Sequence, residues 1–596
     1  MNNQFGNLPQ WDLSDLYPSP NSKEFETDLK KAQADAKLFE EKYKGNLANI
    51  TQQNKLIEVI ALFEKLSDLI GRIGSFAYLN YVLNTADPER VKFLGDTQEA
   101  LTSLSSHTIF FSLELNQIKE KTLLEAFAND KALARYKPWF DELRKAKPYQ
   151  LEERVEELFI DKSLTGRGAW NRLFDETMAS LKFNVAEQDL GLEMTLTLLT
   201  DKKEENRKNA FEAIVKTLKE NQRLFTHISN VLAKDKEISD RWRKFEDVAD
   251  SRHLANSVER EVVDALQTAV QKAYPKLSHR YYAMKAKWLG KDKLNAWDRN
   301  APLPTSSDTI YEWGEAKKII LEAYGNFSPK LAKIAEPFFD SGWIDAPVVQ
   351  GKAPGAFAHP TVPSAHPYLM LNYLGKARDV MTLAHELGHG VHQVLAAPQG
   401  ALMASTPLTL AETASVFGEM LTFRSLLDGA KTPKARFALL SQKVEDMLNT
   451  VVRQIAFYTF ERELHNARRK GELKTEEINQ IWLDVSKESL GDAVELNDGY
   501  EIFWSYIPHF IHSPFYVYAY AFGDCLVNSL YAKYQEEPEG FEQKYFDLLK
   551  AGGSKHHSQL LKPFGLDAKD KDFWSLGLSM IEGMIDELEI LQQEIS

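Results

Sequence analysis

Residues Asp379 to His392 read D-V-M-T-L-A-H-E-L-G-H-G-V-H, and A-E-T-A-S follows from Ala411 to Ser415. His385 and His389 are four positions apart, a spacing that on an α-helix sets two imidazoles on one face a single turn apart. Glu386 lies at the edge of that face. Two histidines and a glutamate in this order, H-E-x-x-H, are what zinc-assisted hydrolysis of an amide requires. A catalytic zinc keeps three protein ligands and an open position for water, whose pKa it lowers to about 7. A carboxylate one residue from a ligand can then take the water's proton and pass it to the leaving amine, which is the role expected of Glu386.

The motif supplies two ligands of three. His392 is seven residues from His385, about 10.5 Å along a helix axis, too far for bonds of roughly 2.1 Å to one ion; we place it beside the site or on the surface. Glu412 and Glu419 belong to a second apolar, helix-like run, L-A-E-T-A-S-V-F-G-E-M-L from Leu410 to Leu421, and their spacing puts them on roughly one face. We take Glu412 as the third ligand, because small Ala411, Thr413, Ala414 and Ser415 would let this helix come close to the first. Glu419 is then a carboxylate that accepts the free N–H of a ligating histidine, or a plain surface glutamate. Asp379 is expected to cap the first helix, and Gly388 and Gly390 to thin it where a substrate backbone passes.

Other elements must hold these residues in place. The chain has 596 residues, 43% hydrophobic and 27% charged, with a formal charge of -14, as in an ordinary folded protein. It lacks the basic balance of a nucleic-acid binder, and no apolar stretch approaches the roughly 18 to 20 residues that span a bilayer. Cys525 is the single cysteine, so no disulfide within the chain and no thiolate zinc finger is possible. The first ten residues carry neither a basic head nor an apolar core, so no secretory leader is read there, and a cytoplasmic protein is expected.

Helical periodicity dominates. Lys55 to Leu66 places Leu56, Ile60 and Phe63 on one stripe, and similar patterns run through residues 23–160 and 201–290. We expect a boundary near residues 183–200, dividing an N-terminal helical domain, 1–195, from a catalytic domain, 196–596. Between Asp345 and Pro367, prolines 347, 354, 360, 363 and 367 with Gly351 and Gly355 exclude a continuous helix. That stretch ends in Pro367 to Asn372, a short strand expected just ahead of the zinc helix, either offering its edge to a substrate peptide or paired within its own sheet.

One more stretch bears on the chemistry. Ser505 to Gly523 holds His509, His512, Tyr506, Tyr516, Tyr518 and Tyr520. An oxyanion forming at the scissile carbonyl needs a donor, which a tyrosine O–H or a histidine N–H supplies without a full charge. Tyr516 and Tyr520 share a face if the segment is helical; Tyr516, Tyr518 and Tyr520 share one if it is extended.

The chain resembles the oligoendopeptidase F and thimet oligopeptidase group of zinc metallopeptidases. The likeness is carried by Leu371–His392, Glu412–Glu419 and P-H-F-I-H-S-P-F-Y-V-Y-A-Y from Pro508 to Tyr520. W-D-L-S-D-L-Y-P from Trp11 and A-W-N-R-L-F-D-E from Ala169 are similar to the oligoendopeptidase F branch in particular. The resemblance implies a mainly α, two-lobed molecule with a deep substrate channel and a small β element beside the zinc helix. It also implies one zinc ion per chain on His385, His389 and Glu412, with Glu386 as base. His509, His512, Tyr516, Tyr518 and Tyr520 would line the active site, and the reaction would cut internal bonds of short peptides rather than folded proteins. A zinc exopeptidase would instead need a fixed cation to hold a peptide terminus, for which Arg453, Arg462 and Lys352 are candidates. A helical scaffold with an accidental motif would bind no metal.

Overall fold

The computed structural model describes residues 5–304 and 309–595, so the first four residues of the stretch read for a leader lie outside it. The chain is mainly helical. In order it forms α1 (Lys23–Tyr43), α2 (Leu56–Val82), α3 (Pro88–Gln117), α4 (Glu204–Arg243), α5 (Trp313–Phe327) and α6 (Pro329–Asp340). Three short strands follow, β1 (Ile344–Asp345), β2 (Phe357–His359) and β3 (Tyr368–Met370). Then come α7 (Ala377–Ala396), α8 (Leu408–Gly429), α9 (Pro433–Thr450), α10 (Val452–Lys470), α11 (Tyr518–Glu536) and α12 (Lys571–Ile595), with further helices among them. Among the described residues no helix is long and apolar enough to cross a membrane.

The helices start where side chains satisfy their first free N–H groups. Ser22 accepts from Phe25 N–H at the head of α1 at 3.3 Å, and Thr432 accepts from Ala435 N–H at 3.2 Å to open α9. In α1 the buried positions are Phe25, Ala32, Ala36, Phe39 and Tyr43, steps of three, four and seven that form one stripe.

The chain divides into two compact units, each drawn from three separate stretches. One comprises Met1–Lys147, Asp308–Gly429 and Lys533–Leu566; the other comprises Pro148–Ser307, Ala430–Ala532 and Asp567–Ser596. The first unit has two aromatic cores. Phe39, Phe110, Phe111 and Phe140 pack with Leu56 and Ile60, while Trp11, Tyr17, Phe25 and Phe76 pack with Tyr368 and Met370 of β3.

β3 is therefore rooted in the helical core, and it is the middle strand of its sheet. It runs parallel to β1 (Ile344↔Leu369) and antiparallel to β2 (Phe357↔Met370, His359↔Tyr368). Of the two readings of Pro367–Asn372, pairing within its own sheet holds and the free edge does not: both sides of Tyr368–Met370 are paired, and the outer strands are β1 and β2.

In the second unit α4 runs for 40 residues and buries Phe211, Ile214, Leu218, Phe225 and Ile228. Residues 183–190 form an antiparallel hairpin that turns through Ala186 and Glu187, both at positive φ. The remaining sheet pairs Leu294–Asn295 with Val494–Glu495 in parallel.

Candidate metal centre

α7 begins about two turns before its chemistry. The Asp379 carboxylate accepts from Leu374 N–H at 2.9 Å and Lys376 N–H at 3.0 Å. It thus ties down the helix start from inside the first turn, not from the cap position expected of it, and its charge suits the positive end of the helix dipole. Val380, Leu383, Ala384, Leu387 and Val391 are buried and fix the helix rotationally. That leaves the rings of His385 and His389 edge to face, with centroids 5.0 Å apart.

The second helix comes close because glycine permits it. A Cβ on Gly388 would lie 2.4 Å from the Ala414 carbonyl oxygen and 2.7 Å from Ser415 Cα, so α7 and α8 touch backbone to backbone. Gly390 makes room for the Phe338 ring of α6. Both glycines therefore serve packing, which corrects their reading as a passage for substrate. Tyr324 of α5 occupies the space where a Gly418 side chain would stand and donates its hydroxyl to the Ala384 carbonyl at 2.6 Å, joining α5, α7 and α8.

This approach delivers Glu412 to the histidines. Its Oε2 lies 3.3 Å from His385 Nε2 and 3.4 Å from His389 Nε2. The three donor atoms fall within 4.8 Å of one another and can hold a metal ion. Ser415 donates its hydroxyl to the same Oε2 at 2.7 Å. Glu419, one turn further along α8, meets the other ring nitrogen of His385, Nδ1, at 3.1 Å. Two imidazoles and a carboxylate suit a borderline cation such as zinc better than calcium or magnesium, which prefer all-oxygen sites.

Burial works against charge on Glu412, yet hydrogen bonds from His385 and His389 hold its carboxyl well below the usual range, so it is an anionic donor. Glu386 differs. It is 7% exposed, and burial pushes its pKa up against the pull of the two histidines, the direction that suits a base working near neutrality. His392 is 3% exposed, meets the Thr406 hydroxyl at 3.3 Å and is pushed down to about 4 by burial. It is a neutral packed histidine and not a surface one.

The His/Tyr stretch lies in the second unit and separates into three environments. His509 Nε2 is 3.3 Å from the Tyr520 hydroxyl, and the Tyr516 ring sits 5.3 Å from that of Tyr520 and 6.2 Å from His509. Tyr518 is fully buried; its hydroxyl accepts from Asn256 at 2.8 Å and meets His253 at 3.2 Å. His512 turns toward Asp175, 2.8 Å away. The structure thus brings together His509, Tyr516 and Tyr520 and sets Tyr518 and His512 apart from them.

Residues 197–580 match the sequence pattern of peptidase family M3, and residues 114–183 match that of oligopeptidase F. The chain belongs to peptidase family M3. It is 28% identical over 598 residues to oligopeptidase PepF of Bacillus subtilis, spanning 98% of this chain and 87% of that one. A crystal structure of a Chlamydophila abortus protein superposes with a TM-score of 0.84 at 22% identity, covering 99% of both chains. That of oligoendopeptidase-F from Enterococcus faecium gives 0.74 at 22% identity, covering 96% of this chain and 99% of that one. The protein is a peptide-cleaving metallopeptidase.

Of the cations considered for a peptide terminus, two are engaged in this M3 peptidase. Lys352 is buried against Asp345 and donates to the Pro347 and Leu371 carbonyls, and Arg462 grips Asp247 through two bonds of 3.0 and 2.9 Å. Sequence reasoning missed three supporting residues. Tyr324 and Ser415 are described above; the third, Glu461 of α10, accepts from Phe515 N–H at 2.8 Å. Phe515 has φ of 59°, a left-handed conformation costly for an aromatic residue, and it sets the direction of Tyr516. Only Ser415 left a signal, its place three residues after Glu412.

Proposed function

We propose that this M3 peptidase is a zinc-dependent oligoendopeptidase that cuts internal bonds of short, unfolded peptides. What carries the reading is the convergence of His385 Nε2, His389 Nε2 and Glu412 Oε2 within 4.8 Å beside the buried carboxyl of Glu386. His385, His389 and Glu412 are the zinc ligands, and Glu419 orients His385 through Nδ1. A zinc ion held there supplies Lewis acidity, making water acidic and polarising the scissile carbonyl.

Glu386 removes the proton of the attacking water and returns it to the departing nitrogen, and burial, which raises its pKa, favours its taking up that proton. Tyr516, Tyr520 and His509 are uncharged donors suited to an oxyanion or to substrate backbone. The outer strand β2 offers main-chain groups to an extended peptide, and such pairing reads shape more than side chains, which supports broad sequence tolerance. The engagement of Lys352 and Arg462 leaves the exopeptidase reading without those anchors.

The test is mass spectrometry of a random short-peptide mixture blocked at both ends, incubated with the protein with and without a zinc chelator. Internal cuts that vanish with chelator are expected. Cleavage confined to peptides with free ends would favour exopeptidase action instead.

A further inference from the structure

Two buried tyrosines of the first unit each donate to the backbone beside a residue of the metal centre. Tyr324 of α5 donates its hydroxyl to the carbonyl of Ala384, the residue before His385, at 2.6 Å. Tyr545, on the helix Phe541–Lys550, donates to the carbonyl of Thr413, the residue after Glu412, at 3.1 Å. Each tyrosine is 1% exposed, and both belong to the same compact unit as the two carbonyls they reach.

Their rings are anchored in an apolar wall. Phe327, one turn after Tyr324 on α5, packs edge to face against Phe417 of α8 at 5.0 Å and against Tyr545 at 5.6 Å. Phe417 in turn lies 4.6 Å from Tyr545. A phenylalanine at either tyrosine position would fill the same space, so ring packing accounts for everything except the two hydroxyls. The helices do not require them: the Ala384 and Thr413 carbonyls already face the N–H groups of Gly388 and Phe417, four residues on, and each hydroxyl takes a second lone pair.

What the two bonds add is lateral. One ties the turn that carries His385 to α5, and the other ties the turn that carries Glu412 to the helix of Tyr545. The Tyr324 hydroxyl also fills the place of a Gly418 side chain, which braces the turn leading to Glu419, the carboxylate on His385 Nδ1.

We infer that Tyr324 and Tyr545 are positioning residues of the metal centre, whose hydroxyls hold the backbone of His385 and Glu412 at the separation a metal ion needs. A metal constellation works only when its donors are held to within about 0.5 Å, and a hydrogen bond to the backbone of the ligand-bearing turn limits its slide and rotation. This rests on the ligand assignment above and adds a determinant of metal affinity outside the ligand side chains.

The experiment removes one oxygen at a time from the full chain, in Tyr324→Phe, Tyr545→Phe and a control, Tyr368→Phe. The control hydroxyl is also buried and also donates to a backbone carbonyl, that of Asp12 at 2.8 Å, but this carbonyl flanks no proposed ligand. Each protein is stripped of metal and titrated with zinc against a competing chelator, and its cobalt-substituted form is recorded by visible absorption. Tyr324→Phe and Tyr545→Phe should each weaken zinc binding by about three- to tenfold and shift the cobalt bands, while Tyr368→Phe loses a comparable amount of thermal stability and keeps the wild-type affinity and spectrum. If one of the two variants fails to fold, the other decides alone. Wild-type affinity and cobalt spectrum in the folded variants overturn the inference, as does an equal loss of affinity in Tyr368→Phe, which would trace the effect to general loosening. A wild-type protein that takes up neither zinc nor cobalt would instead strike the ligand assignment itself.

Discussion

Glu419 and Glu412 take opposite edges of one imidazole: Glu419 Oε2 lies 3.1 Å from His385 Nδ1, and Glu412 Oε2 lies 3.3 Å from His385 Nε2. The ring is held between two carboxylates, which fixes its plane, and Glu419 as acceptor for an Nδ1–H would leave Nε2 to face a metal. Partners of this kind typically change metal affinity by about 10- to 100-fold. Glu419→Ala is therefore expected to weaken zinc binding by about that factor, and Glu412→Ala by more, because it removes a donor atom. Metal titration against a competing chelator distinguishes them; the reverse order would exchange their roles.

Gly388 sets the distance between α7 and α8. A methyl group there meets backbone, at 2.4 Å from Ala414 O and 2.7 Å from Ser415 Cα, and backbone cannot rotate away as a side chain can. Gly388→Ala should cost about 3 kcal/mol of stability and loosen the metal as Glu412 withdraws. Thermal unfolding with parallel metal analysis checks this, and a variant as stable and as fully metallated as the parent would contradict it.

Glu461 gives a pH dependence of stability in the second unit. Burial pushes its pKa up to about 8, against weaker opposing contributions from the Phe515 N–H, Arg252 and Lys236. Its ordinary value is 4.5, so between these limits the folded protein binds a proton that the unfolded chain has released. Stability from this group is complete below about 4.5, falls as pH rises and levels off above about 8, by up to about 1.4 kcal/mol per pH unit. Glu461→Gln keeps an acceptor for Phe515 N–H and removes the titration. Melting temperatures of the two proteins should diverge in the variant's favour from pH 5 to 8; parallel curves would show that Glu461 does not titrate in that window.

How much of this was legible beforehand depended on whether the cause was local. The H-E-x-x-H spacing maps directly onto one helical face, and the small residues around Glu412 signalled a close helix crossing, so those residues could be singled out from the sequence. The roles of Gly388 and Gly390 could not be read, because their neighbours come from α8 and α6. The position of Tyr368–Met370 inside its sheet was equally hidden, since its partners lie 9 to 25 residues upstream. The His/Tyr stretch illustrates the limit well. Its composition announced chemistry, but whether Tyr518 faces His509 or Asn256 turns on Phe515 adopting a conformation that Glu461, 54 residues away, holds in place.

Glu386 is the proposed base, and its carboxylate can be removed without touching a proposed ligand. Wild type and Glu386→Gln should be compared for zinc content and for hydrolysis of an end-blocked peptide in the same preparations. The expected result is equal zinc, since no ligand has changed, with turnover reduced by about 10³-fold or more. Turnover retained in the zinc-loaded variant would contradict the assignment of Glu386 as the base.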